Sequence, residues 1–188
     1  YYSTSTVAPA ISSSSYTSTS NSLLSISNGL LSGTQYYLFV YPSLNNTNGS
    51  IYSVNFRTLP AFPLNPFNLT NRSDITFTLS WSAVTGATSY RYIISSTTLS
   101  TNITGTILST ATLQLTNTSI SNIKSGTTYT ILITPIGSSG SGTAASIDIT
   151  TLPSSLTIPT TSNITTSSFT LSWCNSAGAT KYNYTISP

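Results

Sequence analysis

The middle of the chain alternates apolar and polar residues with a period of two. In the first clear run, the apolar residues Ile75, Phe77, Leu79 and Trp81 are separated by Thr and Ser. Three further runs have their apolar positions at Tyr90, Tyr92 and Ile94, at Tyr129, Ile131 and Ile133, and at Ala145, Ile147 and Ile149. Period two puts one set of side chains on a core face and the other in solvent. With no helical period in any segment, the pattern predicts about seven short strands, an all-β antiparallel sandwich.

The same pattern returns at a domain-sized spacing of 92 to 93 residues. Three motifs recur: 77–81 at 169–173, 58–60 at 151–153, and 30–36 at 123–129. A period of this length indicates an array of modules rather than a short-repeat solenoid. Residues 60–152 form one complete unit. Residues 153–188 correspond to its first three strands, and residues 1–59 correspond to its later strands.

Three motifs occur in a fixed order along the unit. They are Leu-Ser-Trp at 79–81, a tyrosine-rich strand with Tyr90 and Tyr92, and Ile-Lys-Ser-Gly-Thr-Thr-Tyr at 123–129. Together they resemble the fibronectin type III domain, with Ser125 at a position where that family usually has Pro. The resemblance covers the whole chain and implies an immunoglobulin-like sandwich. It also implies a corner at Tyr129, whose hydroxyl bonds back to the chain before its strand.

The outer segments, 1–59 and 153–188, are complementary parts of one sandwich. Either one alone exposes a core face and an unpaired strand edge. Together they contain 95 residues, close to the 93 residues of the complete unit. We therefore expect tandem β-sandwiches, one complete and one split between the two chain ends.

Two arrangements would unite the split module. In one, a very long chain repeats this unit; in the other, separate subunits donate strands to the next copy, head to tail. Both give an open fibre, because a heterologous contact that does not close into a ring propagates. The remaining interpretation is a fragment of an ordinary multidomain protein. The sequence starts without Met or a secretion signal, which indicates a processed chain or a part of a longer one.

Composition leaves little material for chemistry. The chain has five Lys and Arg, two acidic residues (Asp74 and Asp148) and no His. A net charge of +3 is too small to favour nucleic acid or acidic lipid as a partner, and no apolar run is long enough for membrane insertion. Without a base or a carboxylate pair we expect no enzyme activity, no metal site and no cofactor other than covalent glycans. The single cysteine, Cys174, is either a small strand residue or an intermolecular disulfide partner.

Covalent sugar is a candidate modification of this nearly uncharged surface. The motif Asn-x-Ser/Thr occurs eight times, at Asn45, Asn48, Asn68, Asn71, Asn102, Asn117, Asn163 and Asn183. Fifteen Asn in a chain that is two fifths Ser and Thr would produce roughly six such motifs by chance. Glycans on Asn, or on the Ser and Thr near 12–20, would keep the surface soluble and its strand edges apart. The alternative is that these side chains simply face solvent.

The first segment carries a further candidate surface. Tyr37, Phe39 and Tyr41 alternate with the expected core residues Tyr36, Leu38 and Val40. Three outward aromatic side chains on one strand would form an exposed patch, and such patches usually bind something. We expect contact with a neighbouring module or protofilament, with a sugar-binding platform as the alternative.

These observations favour a structural role. We expect the chain to be a subunit or repeat unit of an extracellular, glycosylated filament of head-to-tail modules, whose partners are copies of itself. Prolines such as Pro60 and Pro153 stiffen the junctions between modules, as suits a rod. The alternative is a set of adhesion or accessory binding modules in a cell-surface or secreted multidomain protein.

Overall fold

The computed structural model describes residues 2–6, 19–20, 22–27, 29–45, 47–62, 67–108, 112–115 and 123–187. All the regular structure within these residues is β. The strands are β1 (Tyr2–Ser3), β2 (Gln35–Val40), β3 (Ser43–Leu44), β4 (Thr47–Asn48), β5 (Tyr52–Arg57), β6 (Asn68–Thr70), β7 (Phe77–Ser80), β8 (Ser89–Ser95), β9 (Ile103–Leu108), β10 (Thr112–Leu115), β11 (Thr128–Gly137), β12 (Gly140–Ser141), β13 (Ala145–Thr150), β14 (Thr160–Ser162) and β15 (Thr170–Ser172). In these parts of the chain no helix has the length and apolar character needed to cross a bilayer.

Strands β6 to β13, which we call the middle module, form a sandwich of two antiparallel sheets. One sheet has the order β10-β7-β6, and the other has the order β12-β11-β8-β9, with β13 paired to β11. In the second sheet Ile131 lies opposite Ile94 on one side and Ile147 on the other. Side chains from both sheets, such as Phe77 on β7 and Ile131 on β11, pack into one buried cluster. The all-β sandwich predicted from the alternation is therefore confirmed.

The side chains predicted to face the core do so in this module, except at the start of β7. Tyr90, Ile94, Tyr129 and Ile133 are all buried as the alternation requires. Ile75 is exposed, because β7 begins only at Phe77. The hydroxyl of Ser73 accepts hydrogen bonds from the backbone N–H groups of residues 75 and 76, at 3.1 and 3.0 Å. That local turn competes with the strand ladder and delays its start.

A tyrosine corner occurs twice. The hydroxyl of Tyr129 accepts a hydrogen bond from the backbone N–H of Lys124 at 2.7 Å. The hydroxyl of Tyr36 accepts one from the backbone N–H of Leu31 at 2.8 Å. The corner implied by the family resemblance is thus confirmed, and the first segment has the same local structure as the middle module.

The outer segments contain only part of this architecture. In the first segment β1, β2 and β5 form a three-stranded sheet and β3 pairs with β4; in the last, β14 pairs with β15. Of the three strands expected at 153–188, the third, around Tyr182 to Ile186, is not formed in the described residues. Its counterpart β8 lies between β9 and β11, and strand structure requires such a partner. The module boundaries at 59/60 and 152/153 stay predictions.

Candidate functional site

The outer segments leave apolar side chains in solvent where the middle module buries them. Equivalent positions follow from the repeat spacing of 92 residues toward the C-terminus and 93 residues toward the N-terminus. The middle module therefore serves as an internal reference. It shows how much of each side chain a finished sandwich would cover.

The last segment has an open core face. Phe169 is 47% exposed, whereas its counterpart Phe77 is fully buried. Ile186 is 72% exposed, whereas its counterpart Ile94 is 1% exposed. Leu171 on β15 is exposed as well. We call Phe169, Leu171 and Ile186 the C-terminal open face.

The first segment has an open face of the same kind. Val40 at the end of β2 is 54% exposed, whereas its counterpart Ile133 is fully buried. On the neighbouring strand β5, Tyr52 and Val54 are also exposed. We call Val40, Tyr52 and Val54 the N-terminal open face. In the middle module the equivalents of Phe169 and Leu171 lie on β7 in one sheet, and the equivalents of Ile186 and of the N-terminal open face lie on β8, β11 and β13 in the other sheet.

The open C-terminal segment nevertheless keeps the local geometry of a finished module. The rings of Trp173 and Tyr182 lie edge to face with centroids 5.4 Å apart, as those of Trp81 and Tyr90 do at 5.2 Å. The hydroxyl of Tyr182 accepts the backbone N–H of Ser176 at 2.8 Å. The segment is therefore shaped for a second layer, and the described residues do not supply one.

The aromatic patch expected on the opposite face of β2 is only partly present. Phe39 is buried, while Tyr37 and Tyr41 are half-buried. The expectation of three exposed rings is wrong for Phe39. Both faces of β2 are partly covered, because Tyr36 on the other face is buried too. A contact role of Tyr37, Phe39 and Tyr41 stays a prediction.

Seven of the eight candidate glycosylation positions are exposed: Asn45, Asn48, Asn68, Asn71, Asn102, Asn163 and Asn183. Asn117 lies outside the described residues. Asn45, Asn71 and Asn163 each have a φ of 49°, a left-handed conformation that Asn tolerates better than most residues. Attachment of sugar at any of these positions stays a prediction.

The described residues offer little for catalysis. They contain no group of three or more His, Cys, Asp or Glu side chains that would hold a metal ion. A groove of about 600 Å³ lies beside β8 and β11, and its lining is Ser95, Ser96, Thr97, Thr98, Gly126, Thr127, Thr128 and Thr130. This lining has hydroxyl and backbone groups but no titratable side chain. The groove therefore has no group for acid–base chemistry.

Comparison with known proteins identifies the fold. The structure matches a two-domain fibronectin type III segment of chicken tenascin with a TM-score of 0.52 and 18% identity, over 65% of this chain and 68% of that one. A domain of human collagen XX matches with a TM-score of 0.42 and 24% identity, over 50% of this chain and 93% of that one. The FN5 domain of Drosophila Lar matches with a TM-score of 0.40 and 16% identity, over 50% of this chain and 98% of that one. No family model and no curated protein matches the sequence.

Proposed function

We propose that this chain of fibronectin type III modules is the structural repeat unit of an extracellular, glycosylated filament, built head to tail from β-sandwiches. The observation that carries the proposal is the pair of open core faces. Each is one part of a sandwich that the middle module shows in finished form. A copy that places its N-terminal open face on the C-terminal open face of another copy would complete a module.

The apolar area is large enough to offset much of the cost of such an association. The side chains of the two open faces number six, and each contributes roughly 1–2 kcal/mol for the fraction that a finished module would cover. The total is on the order of 10 kcal/mol, within the range of about 4–15 kcal/mol that association costs in lost freedom. Backbone pairing along the open strand edges adds to it, as in other cases of strand addition.

The two open faces differ, and this decides the kind of assembly. A contact between different faces is heterologous, and it propagates unless rotation closes it into a ring. The two faces lie on opposite sides of the middle module in sequence, joined to it by Leu59-Pro60 and Leu152-Pro153. Short proline linkers favour an extended arrangement. An open fibre is therefore the expected product.

The surface supports an extracellular, glycosylated and non-enzymatic role. It is rich in hydroxyl groups and nearly uncharged, so electrostatic repulsion contributes little to its solubility. Exposed Asn-x-Ser/Thr positions such as Asn102 and Asn183 would carry solubilising glycans. Asp148, one of the two acidic residues, accepts a hydrogen bond from the hydroxyl of Thr130 at 2.6 Å on the outer sheet surface.

The test is electron microscopy of the 188-residue chain after refolding from denaturant. We expect fibres with an axial repeat of two modules, roughly 60–80 Å for sandwiches stacked end to end. Monomeric particles at all concentrations would contradict the proposal and favour binding modules of a larger protein.

Intact mass of the natural fibre under denaturing conditions then separates the two kinds of filament. A mass near 20 kDa plus glycan means separate subunits that exchange strands. A very large polypeptide means that the unit repeats within one chain.

A further inference from the structure

The two junctions between consecutive modules are built from the same residues at the same spacing. At the first junction Gly33, in the turn before β2, meets Gly86, in the turn before β8. At the second junction Gly126, in the turn before β11, meets Gly178 of the last segment. The glycines of the second pair follow those of the first by 93 and 92 residues, which is the module repeat.

Both pairs bring two backbones into direct contact. A Cβ atom added to Gly33 would lie 2.5 Å from the Cα of Gly86, and one added to Gly178 would lie 2.7 Å from the backbone nitrogen of Gly126. Real Cβ atoms essentially never approach another heavy atom within 3.0 Å. A residue other than glycine on either side therefore forces the two turns apart.

The backbone conformations of the two pairs also agree. The φ angles are 60° for Gly33 and 59° for Gly126, and 81° for Gly86 and 80° for Gly178. These left-handed values are unfavourable for any residue with a Cβ. Sequence and conformation thus require glycine at all four positions, for close approach and for the turn itself.

The surrounding hydrogen bonds repeat as well and tie each turn to its linker. The backbone N–H of Gly33 donates to the carbonyl of Leu59 at 2.8 Å, and that of Gly126 donates to Leu152 at 2.9 Å. The hydroxyl of Thr58 accepts the backbone N–H of residue 34 at 2.9 Å, and the hydroxyl of Thr151 accepts that of residue 127 at 3.0 Å. Each linker therefore leaves its module in the same way.

We infer that the glycine pair is a docking site between consecutive modules, which sets one fixed orientation for each module on the next. The partner that it fits is the Ser-Gly-Thr turn of a preceding module of the same kind. The inference does not depend on whether the open faces are completed by a second copy. It predicts that successive junctions of the array are formed by the same glycine contact.

The charged residues of the chain allow a test in which each junction controls for the other. Trypsin cleaves after Lys and Arg, and the chain has five of them: Arg57, Arg72, Arg91, Lys124 and Lys181. Arg57 lies at the first junction, where its guanidinium donates to the carbonyl of Gly33 at 2.8 Å. Lys124 lies at the second junction, two residues before Gly126. Arg72 and Arg91 lie in the middle module and report its unfolding.

The test uses two variants, Gly86→Ala and Gly178→Ala. In each, the changed glycine belongs to one module of a junction and the cleavage site, Arg57 or Lys124, belongs to the other. We expect Gly86→Ala to speed cleavage after Arg57 about tenfold and to leave Lys124 unchanged, because cleavage follows the population of the open form. Gly178→Ala should speed cleavage after Lys124 about tenfold and leave cleavage after Arg57 unchanged. Gly86→Asn, which suits a positive φ better but keeps the Cβ, should act like Gly86→Ala.

Equal cleavage at both junctions in both variants would overturn the inference. If Gly86→Ala also speeds cleavage at Arg72 and Arg91, the middle module itself has been destabilised. The Gly178→Ala variant then decides whether the glycine contact docks the modules, because Gly178 lies outside the module that contains Lys124. If the rate of cleavage after Lys124 is unchanged in Gly178→Ala, the inference is overturned whether or not fibres form. If Gly86→Ala speeds cleavage only after Arg57 and Gly178→Ala speeds cleavage only after Lys124, but no fibre forms, then only the filament proposal is overturned.

Discussion

Removing one apolar side chain from the C-terminal open face should weaken assembly by a calculable amount. Ile186 is 72% exposed in the chain, and Ile94 at the equivalent position of the finished module is 1% exposed. Completion of the module therefore removes about seven tenths of this side chain from water. Truncating a buried Ile to Ala typically costs about 2–5 kcal/mol. Because part of Ile186 is already covered, we take about 2–3 kcal/mol for Ile186→Ala.

This free energy converts directly into a concentration. A head-to-tail polymer elongates when the free subunit exceeds the dissociation constant of one contact. A loss of about 2–3 kcal/mol raises that constant roughly 30- to 150-fold. The assay is the concentration of unpolymerised chain left in the supernatant after sedimentation of refolded protein. We expect it to rise by that factor in Ile186→Ala.

The chain provides a matched control in the same segment. Ile164 is also 72% exposed, but its counterpart in the finished module is Arg72, which is exposed. Completion therefore leaves Ile164 in water, and Ile164→Ala should change the supernatant concentration less than twofold. Ile164→Ala also preserves the Asn-x-Thr motif at Asn163. Equal shifts in the two variants, or no shift in Ile186→Ala, would refute the reasoning that the middle module is a template for the shared one.

Three further outcomes are expected. Tyr129→Phe removes the hydroxyl that accepts a backbone N–H at 2.7 Å. The free energy of unfolding of the middle module should therefore fall by about 1–3 kcal/mol in urea titrations, with an unchanged m-value. An unchanged midpoint would show that the corner contributes no stability. Cys174→Ser should assemble like the unmodified chain, because Cys174 and its counterpart Ser82 are both exposed; loss of assembly, or of a dimer on non-reducing gels, would instead establish an intermolecular disulfide. Peptide mapping of the natural protein should find glycan mass on the exposed Asn102, and a bare peptide there would argue against that site.

Several features of this protein follow from the sequence because they depend on local periodicity. Alternation with period two assigned the faces of β8, β11 and β13, since consecutive side chains of a strand point to opposite sides. The repeat spacing predicted the unit 60–152, and the resemblance to fibronectin type III domains implied the tyrosine corner that the structure has at Tyr129. Strand β7 starts two residues later than the alternation predicts, because the hydroxyl of Ser73 forms a local turn that alternation does not reveal.

Other features required the tertiary structure, because they depend on which surfaces meet. The burial of Phe39 depends on what packs over β2, and alternation alone placed it outward. The glycines at 33, 86, 126 and 178 read as ordinary turn residues, since the contact between them joins residues more than fifty positions apart. Periodicity determined which side chains belong to a core face, whereas the spatial arrangement of the strands decided which of those faces are covered. That difference exists because a strand sets the direction of its own side chains, but burial needs a second layer supplied from elsewhere in the chain or from another copy.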